Sequence, residues 1–202
     1  EPELLYGHQN FLNMLNTKYF ISAYPIPDPW CQLVHQGSFL IYENKQALPR
    51  AFFVNEIKTV QSKQEIFRLL KSKDFQPSQT AILEEPPAFA IQPSEDNKVE
   101  LKSFDLHQIK LKASAVAPAL LVLSEIYYPA GWKAYVDGKE TKIYKTNYIL
   151  RSIFLQPGEH DIEFAFKPTS FRIGLLISVL TALLLVAGLV YSRRKQENET
   201  KK

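Results

Sequence analysis

Residues 127–138 read YYPAGWKAYVDG, and they decide how the surrounding chain folds. Asp137-Gly138 separates WKAYV (132–136) from KETKIY (139–144), a two-residue hairpin signal, because glycine takes the positive φ of a type I′ turn without strain. Tyr127 and Tyr128 then end one strand, Pro129-Ala130-Gly131 turn the corner, and Trp132 opens the next strand as a plug for a core between two sheets. Upstream, Leu120 to Leu123 form a continuous apolar run, the pattern of a central strand covered on both faces. Residues 98–101 and 108–113 alternate polar and apolar, so each presents one face to a core and one to water. Downstream, Pro157-Gly158 does for LRSIFL (150–155) and HDIEFAF (160–166) what Asp137-Gly138 does for its neighbours; Ile162, Phe164 and Phe166 share one face, Asp161 and Glu163 the other. Five to eight short strands with turns about every ten residues predict an antiparallel β-sandwich over residues 93–168.

The first 92 residues predict a small mixed α/β segment. Leu5, Leu12 and Leu15 give residues 4–16 a helical pattern, Tyr19-Phe20-Ile21 reads as a strand, and YPIPDPW (24–30) must be a loop. FLIYE (39–43) and AFFV (51–54) read as strands. Ser62 with Glu65 has capping-box spacing ahead of Ile66, Leu69 and Leu70, which predicts a helix over 62–72. Residues 86–97, with three prolines, connect the two parts.

Residues 173–191 run without a charge for 19 positions, about 28 Å as a helix, which matches the hydrocarbon thickness of a bilayer. A transmembrane helix over 171–192 follows, with Phe171 and Tyr191 at its ends. Of 24 basic and 21 acidic residues, the last ten positions hold five and two; the remainder, nineteen of each, is neutral. This argues against a nucleic-acid partner, which needs a basic face rather than a basic tail. Only Lys167 and Arg172 lie close upstream of the span, whereas Arg193, Arg194 and Lys195 follow it, so the positive-inside bias expects residues 1–170 outside the cytoplasm and the 193–202 tail within it. No charged-then-apolar export signal precedes the globular part, so a C-terminal piece of a longer, multi-spanning protein is expected.

The chemistry-bearing residues are sparse. His8, His35, His107 and His160 are scattered without metal-ligand spacing, and the single Cys31 supports neither a disulfide nor a thiolate cage, so no metal and no cofactor are expected. GxSxG, GxGxxG and P-loop patterns are absent. Glu84 and Glu85 are adjacent and would point to opposite faces of a strand, a poor acid/base pair; Asp137 is the former of its turn, and His160 a turn or edge histidine. No catalytic residue is named. The Asn198 sequon falls on the expected cytoplasmic tail and would be silent. Among the aromatics, Tyr128, Trp132 and Tyr148 are the candidate ligand-binding residues, because such rings stack on sugars; the competing reading is that they fill the core. Under that core reading, Trp132→Ala should cost about 3–5 kcal/mol.

Several of these elements occur together in one family. The run over 120–178, with Tyr-Pro-Ala-Gly-Trp, Val-Asp-Gly, Asn147-Tyr148, Pro157-Gly158-Glu159-His160 and Lys167-Pro168 before a final span, resembles the C-terminal end of the YfhO family of bacterial membrane proteins. LNMLNTKY (12–19) and ALPRA (47–51) are similar too, and Ala130 makes its turn one residue longer than the family pattern. The resemblance implies a C-type, multi-spanning glycosyltransferase of the bacterial cytoplasmic membrane, using polyprenyl-phosphate-linked sugars on cell-envelope glycans, with its catalytic acids in an early loop that has no counterpart here. Its partners would be the bilayer, the lipid-linked sugar and the glycan. A non-enzymatic single-span protein whose sandwich binds glycan or a partner protein is the alternative.

Overall fold

The computed structural model describes residues 9–27 and 29–200, with the side chains of Arg172 and residues 192–200 outside that description. Leu5, in the expected first helix, and the Asn198 side chain of the sequon therefore lie outside the described residues. Helix α1 spans Gln9–Met14. Strands β1 (Tyr19–Ser22), β2 (Cys31–Gln36) and β3 (Leu40–Asn44) make a small antiparallel sheet in the order β1-β3-β2. Next come β4 (Ala51–Val54), β5 (Glu56–Thr59), helix α2 (Lys63–Leu70) and β6 (Thr80–Leu83). The Ser62 hydroxyl accepts from the Glu65 N–H at 3.4 Å, capping α2 as its spacing predicts, and α2 is the crossover of a parallel β5–β6 pair.

Eight strands follow: β7 (Lys98–Phe104), β8 (Gln108–Ala115), β9 (Ala119–Ile126), β10 (Trp132–Val136), β11 (Lys139–Thr141), β12 (Tyr144–Thr146), β13 (Leu150–Leu155) and β14 (Gly158–Phe166). Together with β4, β5 and β6 they form a sandwich of a five-stranded sheet, β11-β10-β14-β8-β7, and a six-stranded one, β4-β9-β13-β12-β6-β5. The six-stranded sheet takes strands from both sides of the boundary expected at residues 92 and 93, so the early segment shares its core with the later one. Side chains of β9 alternate between two cores. Leu121 and Leu123 meet Leu111, Ile162 and Phe164 between the sheets, while Leu120 and Val122 meet Met14, Ile66 and Leu70 beneath α1 and α2. The chain is thus mainly β, with helices over one face of the central sheet.

Asp137 and Gly138 have φ of 51° and 78°, the two positive values of a type I′ turn. Two expected pairings differ. KETKIY is not one strand, because Lys142 and Ile143 carry the chain from β11 in one sheet to β12 in the other. Pro157-Gly158 does not join a hairpin either: β13 pairs with β9 and β12, whereas β14 pairs with β8 and β10. The apolar content of both strands satisfies either arrangement, and the inter-sheet core selects the crossing. Asn147 and Tyr148, at φ 49° and 71°, follow β12. The Asn147 N–H donates to the Ile82 carbonyl and its Oδ1 accepts from the Ile82 N–H, both at 2.8 Å, so this buried asparagine prolongs the sheet where the backbone turns away.

Helix α3 runs Thr169–Thr200, beginning three residues after β14. Its Thr169–Tyr191 part is long and apolar enough to cross a membrane, and the backbone continues as helix beyond the expected end at 192.

Candidate functional site

The loop over 127–131 stands at the end of the sandwich from which α3 departs. Its geometry is organised by Phe166, the last residue of β14. Trp132 lies opposite Phe166 in the β10–β14 ladder, with ring centroids 5.6 Å apart; Tyr128 approaches the same ring at 6.4 Å and His107 stacks on it at 6.0 Å. Gly131, at φ 147°, leaves room for this ring.

Behind Trp132 sits a residue that the aromatic pattern does not announce. Arg151, on β13, is 2% exposed, and its guanidinium lies 4.2 Å from the Trp132 ring centroid and 5.4 Å from that of Phe164. Its Nη2 is 3.7 Å from a Glu125 oxygen, and the other Glu125 oxygen pairs with Arg50. Nε and Nη1 have no hydrogen-bond partner among the described residues. Burial pushes the Arg151 guanidinium down to about 10, against the opposing pull of Glu125. Tyr127, Tyr128, Pro129, Trp132, Lys133 and Arg151 line a cavity of about 200 Å³ here. Charged donors beside stackable rings suit a sugar carrying an anionic group.

Tyr128 and Trp132 are therefore brought together, and Tyr148 is not. Its ring packs on Phe67 of α2 at 4.5 Å, under the Lys145 ammonium at 4.3 Å. Trp132 is partly exposed at the margin of the inter-sheet core rather than a plug within it. Trp132→Ala should accordingly cost about 3 kcal/mol, the low end for a large aromatic; equilibrium denaturation in detergent will measure it. Arg151 was readable only as an oddity, one arginine in the apolar run LRSIFL. Glu84 and Glu85 turn to separate lysines, Lys145 at 2.6 Å and Lys142 at 2.5 Å, and form no acid/base pair.

The opposite end of β10 holds a second charged contact. His160 Nδ1 and Asp137 Oδ2 are 2.7 Å apart, His160 Nε2 is 2.9 Å from the Gln156 carbonyl oxygen, and the Asp161 N–H donates to Asp137 Oδ1 at 2.9 Å. Burial pulls the His160 value down, but the hydrogen bonds to Asp137 and Gln156 outweigh it and set it above the usual 6.5. Hydrogen bonds from His160 and the Asp161 backbone hold Asp137 below 3.8. The stabilising contribution of His160 is thus complete below pH 6.5 and is lost as pH rises through its folded value; that of Asp137 is complete above pH 3.8 and is lost as pH falls through its own. Asp137→Asn keeps a residue suited to positive φ while removing the charge. We expect this variant to lower the His160 pKa measured by NMR and to flatten the decline in melting temperature expected of the parent as pH rises above 6.5.

The matched sequences bear on the same region. The family model of the bacterial membrane protein YfhO matches residues 88–178, from the linker before β7 into α3. Over that stretch the chain is similar to the YfhO family. An uncharacterized protein YfhO of Bacillus subtilis (strain 168) is 35% identical over 75 residues, which are 37% of this chain and 8% of that relative. The YfhO match thus covers the aromatic loop, Arg151 and the entry into the span. No solved structure matches the chain. Family and helix α3 together make this a membrane protein.

Proposed function

We propose that the chain is the extracytoplasmic C-terminal module and last membrane span of a polytopic glycosyltransferase that uses polyprenyl-phosphate-linked sugars to modify cell-envelope glycan. The observation that carries this reading is the cavity of Tyr128, Trp132 and Arg151 at the end of the sandwich where the span begins, within reach of groups held at a lipid surface. Tyr128 and Trp132 would stack on sugar, and Arg151 with Lys133 would face its phosphate. The bias of basic residues around the span supports residues 1–170 outside the bacterial cytoplasmic membrane and 193–202 inside. Catalytic acids would be supplied elsewhere in the parent protein, and the 8% coverage of the relative is consistent with a much larger parent.

An antibody raised against residues 1–168 tests the parentage in native membranes. A band several times the 23.2 kDa of this chain is expected; one near that mass would leave a single-span binding protein instead. Sugar transfer from a radiolabelled polyprenyl-phosphate donor tests the cavity. Arg151→Met in the full-length protein should reduce transfer at least about tenfold at unchanged protein level, equivalent to 1.4 kcal/mol, and unaltered transfer would remove the cavity from the reaction.

A further inference from the structure

We propose that the end of the sandwich around the helix exit is itself a lipid-binding surface, with Leu106, Tyr128 and the Pro129-Ala130 turn seated in the interfacial layer of the bilayer. Leu106 is 89% exposed at the tip joining β7 to β8, and Tyr128 is 53% exposed at the tip joining β9 to β10. Single exposed apolar residues are ordinary. What distinguishes these two tips is that they flank the point where the chain leaves for the membrane. On one side the Phe166 N–H donates to the His107 carbonyl at 2.8 Å; on the other the Lys167 N–H donates to the Gly131 carbonyl at 2.6 Å. Both tips are thereby tied to the end of β14 and the residue that follows it.

The tether is short. From Phe166 to Thr169 the backbone covers at most about 11 Å even fully extended, and the two further helical residues to the exposed Phe171 add about 3 Å. The interfacial layer is itself about 5–8 Å thick on each side of the hydrocarbon. Leu106 and Tyr128 belong to tips bonded to Phe166 and Lys167, at the start of this tether. The occupant is lipid because α3, long and apolar enough to cross a membrane, begins three residues after Phe166, to which one tip is bonded, and carries the exposed Phe171 in its first turn. An aromatic and an aliphatic side chain at this depth match the composition of membrane interfaces. The docking depends on the span alone and not on the chemistry of any parent enzyme.

The test uses the full chain reconstituted into phosphatidylcholine–phosphatidylglycerol vesicles, in a Cys31→Ala background. An environment-sensitive fluorophore is attached through Leu106→Cys, Tyr128→Cys or Lys139→Cys in turn. Lys139 opens β11 at the far end of the sandwich and serves as the reference. Quenching by spin-labelled lipid should be at least about twofold greater at positions 106 and 128 than at 139, as expected for interfacial side chains. Equal quenching at all three positions, or water-like emission at 106 and 128, would overturn the proposal and assign the tips to solvent or to a protein partner. All three sites are exposed, so the labels should leave the fold intact, which circular dichroism will verify.

Discussion

Gly131→Ala should destabilise the protein by about 3–5 kcal/mol, seen as an earlier midpoint in denaturant. Two effects add. The φ of 147° belongs to a region that residues with a Cβ rarely enter, which costs about 1–3 kcal/mol. A Cβ at this position would also stand 2.6 Å from Phe166 Cε2 and 3.1 Å from its Cδ2 and Cζ, so the ring must shift. That ring is held by Trp132, Tyr128 and His107, and displacing it spreads the overpacking into the cavity. Gly138→Asn is the control: its φ is 78° and nothing lies within 4 Å of the added Cβ. Its cost should stay within about 1 kcal/mol. Equal losses from the two substitutions would mean that the contact with Phe166 is unimportant.

Glu125→Gln should cost about 3–5 kcal/mol, although Glu125 is not fully buried. Its loss leaves the Arg151 cation between two rings with no negative group beside it and two nitrogens already unpaired. Arg151→Met predicts the reverse. Glu125 retains Arg50, the flexible thioether fills the slot between Trp132 and Phe164, and stability should change by less than about 1 kcal/mol or even rise. Adding Arg151→Met to Glu125→Gln should then recover most of the loss. If Arg151→Met alone were as damaging as Glu125→Gln, the guanidinium would be a stabilising pillar, and its retention would call for no ligand.

Much of the sandwich was legible because period-two alternation and turn chemistry agree there. Strand β8 buries Ile109, Leu111, Ala113 and Ala115 in alternation, and Asp137-Gly138 forms the turn its sequence demands. The missed strands lack those signals. Five of six residues in β2 are exposed; β5 is a polar edge, EIKT; and TAIL of β6 is buried on both faces, which periodicity cannot distinguish from a helix fragment. The partners of β13 and β14 were illegible for a different reason. A Pro-Gly turn reverses the chain equally well within a sheet or between sheets, and only the distant strands β8 and β9 decide which. The site was half visible. Aromatics at Tyr128 and Trp132 stand out in the sequence, whereas the Glu125–Arg151 contact joins residues 26 apart that local patterns cannot connect.

The composition of the six-stranded sheet also sets a schedule. In β4, Ala51 pairs with Leu123, 72 positions later in the chain. At roughly 5–20 residues per second of synthesis, that partner emerges about 4–14 s after β4 does. Throughout this interval the nascent chain carries an uncharged AFFV segment without its neighbour, while local hairpins form in microseconds. A ribosome pause or a slow export step between residues 54 and 119 would lengthen that exposure, and a chaperone that shields AFFV would matter most in just this window.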